Sequence, residues 1–371
     1  MVQKLYFPIK AILSRTRMNI GSIIHSNFLT LRRRLRLSLK RISLRVNFFL
    51  RTSKKSDLQS MLFPWSDLAS EPGDRGVLDL ISKDNKFNAS SLRLVKSRDI
   101  EVFPNVIMNV AEMDCDRKKI IIEGMANILG DVGDYQVINW HSDFQSKFNW
   151  SPDVFFLDID IYPRFGVDVK VPRELSRFQH IPYTANLNRE NWAFEFMRQS
   201  TDWIISNPVS RGVNWQCSMD IAIRSVNWIW GLWVFKDYLS SNSKYQNLVL
   251  NSLRAHGHHI YKNLDYYGEE IPTSNHYLSG IAGLIYIGAA MPQIPEADVW
   301  LSFGIQELIS EISREVYSDG SNHEGSTSYH RLVTELFTSC AALVERIPSA
   351  RKKMLKNVNI RRHTQIPILR P

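Results

Sequence analysis

Residues 317–331 read Y-S-D-G-S-N-H-E-G-S-T-S-Y-H-R, and the way this stretch divides sets the reading of everything before it. Asp319-Gly320 opens a loop and Gly325-Ser326 closes it, because glycine takes the backbone conformations that tight turns demand and serine caps the free N–H groups of a helix start. A helix is therefore expected from Thr327 onward. Tyr, His, Glu and Arg crowd this loop and the turn after it more densely than core packing calls for, so the stretch reads as half of an active site. Its counterpart is Ser274-Asn275-His276-Tyr277, at the start of an earlier apolar helix.

Working outward, apolar residues recur at helical spacing over 327–346, 299–316, 274–290 and 244–263. Residues 214–239 are apolar on nearly every side, the pattern of a helix buried between layers. Cys217 falls inside that helix as a small core residue, and Asp220 and Arg224, four apart, read as a structural ion pair. Trp192, Phe196, Trp203 and Ile204 mark a further helix, closed by Asn207-Pro208. Between 138 and 180 the chain is dense in Trp, Asp, Lys, Arg and His. There Pro172 fits a first turn, and Glu174, Arg177 and His180, spaced by three, are expected on one helix face. Short loops between helices favour antiparallel neighbours, and no repeat of fixed period is present. The expected fold class is mainly α.

Composition narrows the function classes. The chain has 371 residues, 44% of them hydrophobic, enough for a substantial core. Ten Trp, thirteen Tyr and eighteen Phe suit clefts for sugar rings as well as ordinary cores. The net charge of +9 suggests nucleic acid until it is located: residues 1–56 hold fourteen Lys and Arg and no acid, leaving 32 basic against 37 acidic residues in the remainder. The folded part is thus mildly acidic, and no nucleic-acid partner is expected. The basic arm, whose run 31–51 mixes strand and helix periods, reads as a surface element able to touch phosphate, lipid head groups or an acidic glycan. Residues 57–126 form a lead-in to which the pattern assigns no chemistry. Three cysteines without a Cys-x-x-Cys spacing indicate neither a disulfide framework nor a zinc site. No apolar run reaches transmembrane length, and Pro8 and Lys10 interrupt the apolar start, so no clear signal peptide is read.

Two positions carry chemistry. Asn275 and His276 stand at a helix N-terminus, capped by Ser274 or Thr273, where free N–H groups and the macrodipole favour an anion such as a carboxylate. In the opening stretch Tyr329 has Glu324, His323, His330 and Arg331 close in sequence. A tyrosine serves as general base and acid where a neighbouring cation or donor lowers the cost of its phenolate.

The runs F-F-L-D-I-D, D-V-K-V-P-R-E-L-S-R-F-Q-H, N-P-V-S-R-G-V-N-W-Q-C-S-M-D-I-A-I-R, S-N-H-Y-L and D-G-S-N-H-E-G-S-T-S-Y-H-R-L-V-T-E-L-F follow one another in this order. Together they resemble the helical, alginate-lyase-like domain of the heparinase II/III family of polysaccharide lyases, over residues 127–346. The resemblance implies an (α/α) toroid that binds an acidic polysaccharide, and cleavage of a uronate glycan by β-elimination. It also implies that Asn275 neutralises the substrate carboxylate, His276 assists as neutraliser or base, and Tyr329 moves the proton. Arg177 and His180 become substrate contacts, while Glu324, His330 and Arg331 support the loop, Glu324 and Arg331 by orienting Tyr329.

The family pattern continues into further helices and a C-terminal β-sandwich, which supplies another histidine and in some relatives a structural metal. After Pro348 no likeness and no alternating strand series is read, so the expectation is an incomplete toroid followed by a non-family tail, 347–371, with the sandwich absent and activity weakened. No cofactor is expected, and no metal ligand within this chain. By resemblance the protein is periplasmic or secreted, with the cytoplasm left open by the missing leader. Two alternatives stand beside the lyase: a glycoside hydrolase using Asp319 and Glu324 as a carboxylate pair, and a non-catalytic glycan-binding remnant.

Overall fold

The computed structural model describes residues 113–182, 189–266 and 273–348, with 351 and 355. The basic arm assigned to 1–56 lies outside the described residues, as do most of the lead-in 57–126 and most of the tail 347–371.

The described chain is mainly helical. Its first helix, α1 (Cys115–Leu129), falls partly in the lead-in to which no element had been assigned; Asp114 caps it, and Ile121 and Met125 bury against Val132 and Tyr135. A two-stranded antiparallel hairpin follows, β1 (Ser142–Asp143) and β2 (Phe148–Asn149). Then come α2 (Lys170–Leu175), α3 (Arg189–Ser206), α4 (Ser218–Val234), α5 (Lys236–Leu239), α6 (Ser243–Lys262), α7 (Asn275–Ala290), α8 (Ala297–Glu315) and α9 (Thr327–Arg346). Several boundaries match the apolar periodicity to within two residues.

Two expectations are corrected. The helix read over 214–239 is divided: Val213–Trp215 is a short 3-10 turn, Cys217 is the N-cap of α4, and the chain breaks again at Phe235. Cys217 is therefore a half-buried residue at a helix start, not a core residue within one. The first turn of α2 does contain Pro172, but the helix ends at Leu175 and Phe178 takes a left-handed φ of 57°. Arg177 and His180 thus lie beyond the helix, and their spacing by three confers no common face.

The core is built on fully buried Trp140, Trp203, Trp215, Trp228 and Trp300. Among them lies Arg224, also fully buried, its guanidinium 3.9 Å from the Trp203 ring centroid. Arg224 donates to His256 Nε2 and to the carbonyls of Ser176 and Asn214, each at 3.3 Å. The ion pair expected with Asp220 is not made; Asp220 instead receives Arg177 Nε at 2.6 Å. A pseudo-apolar cage of rings and carbonyls satisfies the buried cation without a directly bonded carboxylate.

Helix directions decide where the site falls. The central element is α7, buried along most of its length and packed on α4, α6, α8 and α9. It runs parallel to α4: Cys217 lies against His276 at their starts, and farther along a Cβ on Gly283 would stand 2.8 Å from Ala222 Cβ. The C-cap residue of α6, Asn263, accepts through its carbonyl from Ser218 Oγ at 2.5 Å, so α6 runs antiparallel to α4. Helix α8 opposes α7, since Glu311 and Glu315 near its end bind Thr273 while Ala297 at its start meets Gly288. The starts of α4 and α7 and the loop entering α9 consequently gather at one end, where helix dipoles present their positive poles.

Candidate active site

The start of α7 is held from a distance. Ser274 is the N-cap in extended backbone, yet its hydroxyl makes no cap hydrogen bond. The carboxylate of Glu324 replaces it: Oε1 accepts from Asn275 N–H at 2.8 Å, and Asn275 Nδ2 donates to Oε1 at 3.1 Å and to Oε2 at 2.9 Å. A carboxylate there satisfies an orphan donor and meets the positive end of the dipole.

The loop that delivers Glu324 is itself tied down. Val316 and Asn322 form an antiparallel bridge, Tyr317 N–H donates to Ser321 O at 2.9 Å, and His323 N–H donates to Glu315 O at 2.9 Å. Gly320 at φ 86° and Gly325 at φ 64° make the turns, as the Asp-Gly and Gly-Ser signals predict. Beneath, Thr273 Oγ1 donates to buried Glu311 and Glu315, and Tyr277 OH donates to Glu307 Oε2 at 2.6 Å. Burial and the Glu307 charge push the Tyr277 phenol far above its ordinary range, which suits a fixed donor and removes Tyr277 from proton transfer.

His276 is half-exposed beside Asn275. Its Nδ1 lies 3.2 Å from Asp265 Oδ2 and 3.8 Å from Cys217 Sγ. The hydrogen bond to Asp265, then that to Cys217, raises its pKa to about 10, so at neutral pH it is an imidazolium. Of the two roles left open for it, neutralising a carboxylate fits this charge, whereas accepting a proton does not.

Tyr329 occupies the first turn of α9, its N–H 3.5 Å from the capping Ser326 Oγ and its ring half-exposed. His330 follows on an exposed position, its N–H donating to Ser326 O at 2.8 Å. Arg331 stands on the solvent face, 4.0 Å from Glu335. Successive helix positions turn by about 100°, which carries Arg331 away from Tyr329. Glu324 and Arg331, expected to orient Tyr329, therefore have other attachments: Glu324 orients Asn275 and the loop, and Arg331 pairs along α9.

The two expected contacts from the earlier segment are also engaged. Arg177 is bound to Asp220 and lies 3.6 Å from Glu174. His180 Nε2 is 2.9 Å from Gln199 Oε1, its ring stacks on Phe178 at 5.8 Å, and burial lowers its pKa to about 4. It is a neutral packing imidazole. For the hydrolase alternative, Asp319 accepts from Ser321 N and Oγ at 2.9 and 2.7 Å, which hold it below the usual carboxylate range, and Glu324 is committed to Asn275. A lowered Asp319 does not match the raised carboxylic acid such a reaction uses.

Asp265 and Cys217 were not singled out from sequence as partners of His276. For Cys217 a signal existed: Ser218 and Asp220 directly after it are first-turn residues and mark a helix start. For Asp265 none did, because its distance to His276 depends on how the chain turns between α6 and α7. Among the described residues no group of three His, Cys, Asp or Glu could hold a metal ion, and no residue here is assigned to one.

The family model described as Heparinase II/III N-terminus matches residues 138–357, and so runs past Pro348, where the sequence likeness had been taken to stop. A heparin-sulfate lyase of Bacteroides stercoris is 25% identical over 257 residues, 63% of this chain and 37% of that protein. A heparin-sulfate lyase of Pedobacter heparinus is 25% identical over 169 residues, 43% of this chain and 24% of the relative. The solved heparan sulfate lyase HepC from Pedobacter heparinus overlaps 67% of this chain and 39% of its own, at 18% identity and a TM-score of 0.42. The chain thus spans well under half the length of the curated relatives it matches.

Proposed function

Since the chain belongs to the heparinase II/III family through that family's N-terminal domain, we propose that it acts on an acidic, uronate-bearing glycan of the glycosaminoglycan type and cleaves it by β-elimination. The observation that carries this reading is the pairing of an imidazolium with a fixed amide at the start of α7: His276 charged by Asp265, and Asn275 locked by Glu324. The proton to be removed lies on C5, next to the uronate carboxylate, and is only weakly acidic. Neutralising that carboxylate with His276 stabilises the charge that spreads onto it as the C5–H bond breaks, while Asn275, whose amide donors are taken by Glu324, fixes the first turn of α7 that carries His276. The electron pair then forms the C4–C5 double bond, the bond from C4 to the glycosidic oxygen breaks, and that oxygen takes up a proton. Tyr329 takes the C5 proton and returns one to the leaving oxygen. Its solvent-exposed first-turn position supports that role over buried Tyr277.

The test is product analysis on sulfated and unsulfated uronate glycans. Elimination leaves an unsaturated uronate that absorbs in the ultraviolet, whereas hydrolysis leaves only reducing ends. Tyr329→Phe is expected to lower turnover by at least ~100-fold while leaving glycan binding intact. Undiminished turnover in that variant would remove Tyr329 from the chemistry, and equal binding by both forms with turnover in neither would leave a glycan-binding protein.

A further inference from the structure

The segment leaving α2 runs along the start of α4. Arg177 is bonded to Asp220 in the first turn of α4, and Arg173, four residues earlier, contacts Gln216 Oε1 through Nη2. Gln216 directly precedes Cys217, whose sulfur lies 3.8 Å from His276 Nδ1. Arg173 is thus joined to the candidate active site through two consecutive residues.

Arg173 differs from five of its fellow arginines in what neutralises it, and unlike Arg224, whose guanidinium is taken up by carbonyls and rings, it leaves a buried N–H unbonded. Arg177, Arg198, Arg254, Arg314 and Arg351 each stand within 3 Å of a carboxylate oxygen, on Asp220, Glu195, Glu296, Glu311 and Asp298 respectively. Arg173 has no carboxylate partner among the described residues. Its bond to Gln216 is to a neutral amide, and its buried Nε has no hydrogen-bond partner. Leaving a half-buried guanidinium without an anion is unfavourable, and guanidinium is the group best shaped to take a carboxylate or sulfate through two parallel N–H bonds. At the adjoining start of α4 the N-cap residue Cys217 makes no side-chain cap hydrogen bond, and the first-turn acid Asp220 is paired with Arg177.

We propose that Arg173 binds an acidic substituent of the glycan, a carboxylate or a sulfate ester, beside the uronate held at His276, and so sets which acidic glycans this chain accepts. This rests on the proposed glycan specificity but not on elimination taking place. It also shifts the contact expected at Arg177 to Arg173, because the charge of Arg177 is already consumed by Asp220.

The experiment is calorimetric titration of the full chain carrying Tyr329→Phe, with and without Arg173→Gln. The probes are a size-defined sulfated heparin oligosaccharide, an unsulfated uronate oligosaccharide of equal length, and a neutral oligosaccharide. Arg173→Gln is expected to weaken binding of acidic oligosaccharides about tenfold or more, to flatten the salt dependence and to leave the melting temperature within a few degrees. Loss confined to the sulfated probe assigns a sulfate, and loss on both assigns a carboxylate. Arg173→Lys, which keeps the charge, is expected to retain part of the affinity and guards against a misfolded glutamine variant. Unchanged affinity and salt dependence in Arg173→Gln overturns the proposal, as does a parent that binds none of the acidic probes. Turnover in the chain with Tyr329 intact is read separately: elimination with unchanged Arg173→Gln binding sinks only this assignment, and Arg173-dependent binding without elimination sinks only the lyase reading.

Discussion

At the scale of single residues the site depends on partners that short spacing does not reveal. Asp265 keeps His276 charged, so Asp265→Asn should bring the imidazole back toward its ordinary value, read directly by NMR titration of His276. The sign follows from the raised value. Charged His276 contributes stability in full below about 6.5, and that contribution is lost as pH rises toward about 10. The wild type should therefore lose stability, and activity if His276 must be charged, across that window, and Asp265→Asn should shift the loss of activity to lower pH. Glu324→Ala removes the cap of α7 and frees the Asn275 amide, at an expected cost of about 1–2 kcal/mol in urea unfolding. Asn275 and His276 stand out in the sequence as polar residues at the first turn of an apolar helix, whereas Tyr329 is preferred over Tyr277 and Tyr317 only by its place in the family pattern. The partners of these residues were not legible, since the bond from Asn275 to Glu324 crosses 49 residues. Asp220 was paired with Arg224 and Arg177 was read as a substrate contact, because the i, i+4 spacing was visible and the fold of α2 against α4, which joins Arg177 to Asp220, was not.

At the scale of elements the periodicity was sufficient for α6, α7, α8 and α9, whose apolar stripes are uninterrupted. It failed where one residue redirects the chain, as Phe178 does after α2 and Phe235 does after α4. The close helix contacts give a paired prediction. Gly283→Ala brings a methyl to 2.8 Å from Ala222 Cβ and 3.0 Å from its Cα, and overpacking of this kind costs about 1–3 kcal/mol. Gly320→Ala meets nothing within 4 Å but sits at φ 86°, so its cost, about 1 kcal/mol, is backbone strain alone. Chemical denaturation of both variants separates packing from strain: a smaller loss for Gly283→Ala than for Gly320→Ala would mean that α4 and α7 can move apart.

At the scale of the molecule, the core should be sensitive to acid. His141 and His180 have pKa values lowered by burial to about 4 from an ordinary 6.5, and His256 is also lowered well below 6.5, by burial and by Arg224. Each is neutral in the fold, so the stability it contributes is lost progressively as pH falls from about 6.5 toward 4. Asp202, raised to about 6 by burial, acts in the opposite direction, and the three histidines outweigh it. The melting temperature is expected to drop on the order of 10 °C over that interval, and an unchanged value would mean that water reaches these rings. The helical class and the family were legible from the ordered motifs, while the extent of the match was underestimated because the residues after Pro348 carry no conspicuous motif. Arg351 shows that this segment contributes: it binds the carbonyls of Gly288 and Ala289 at the end of α7, together with Asp298. The clasp of Glu324 on Asn275 also fixes an order of events during synthesis. A nascent chain has α7 complete, with its first turn bare, while α8 and the following loop are still on the ribosome. A long-range contact forms only once its later partner has emerged, so the mouth of the site stays open until residue 324 has left the ribosome, and a chain released before it would carry α7 without its lock.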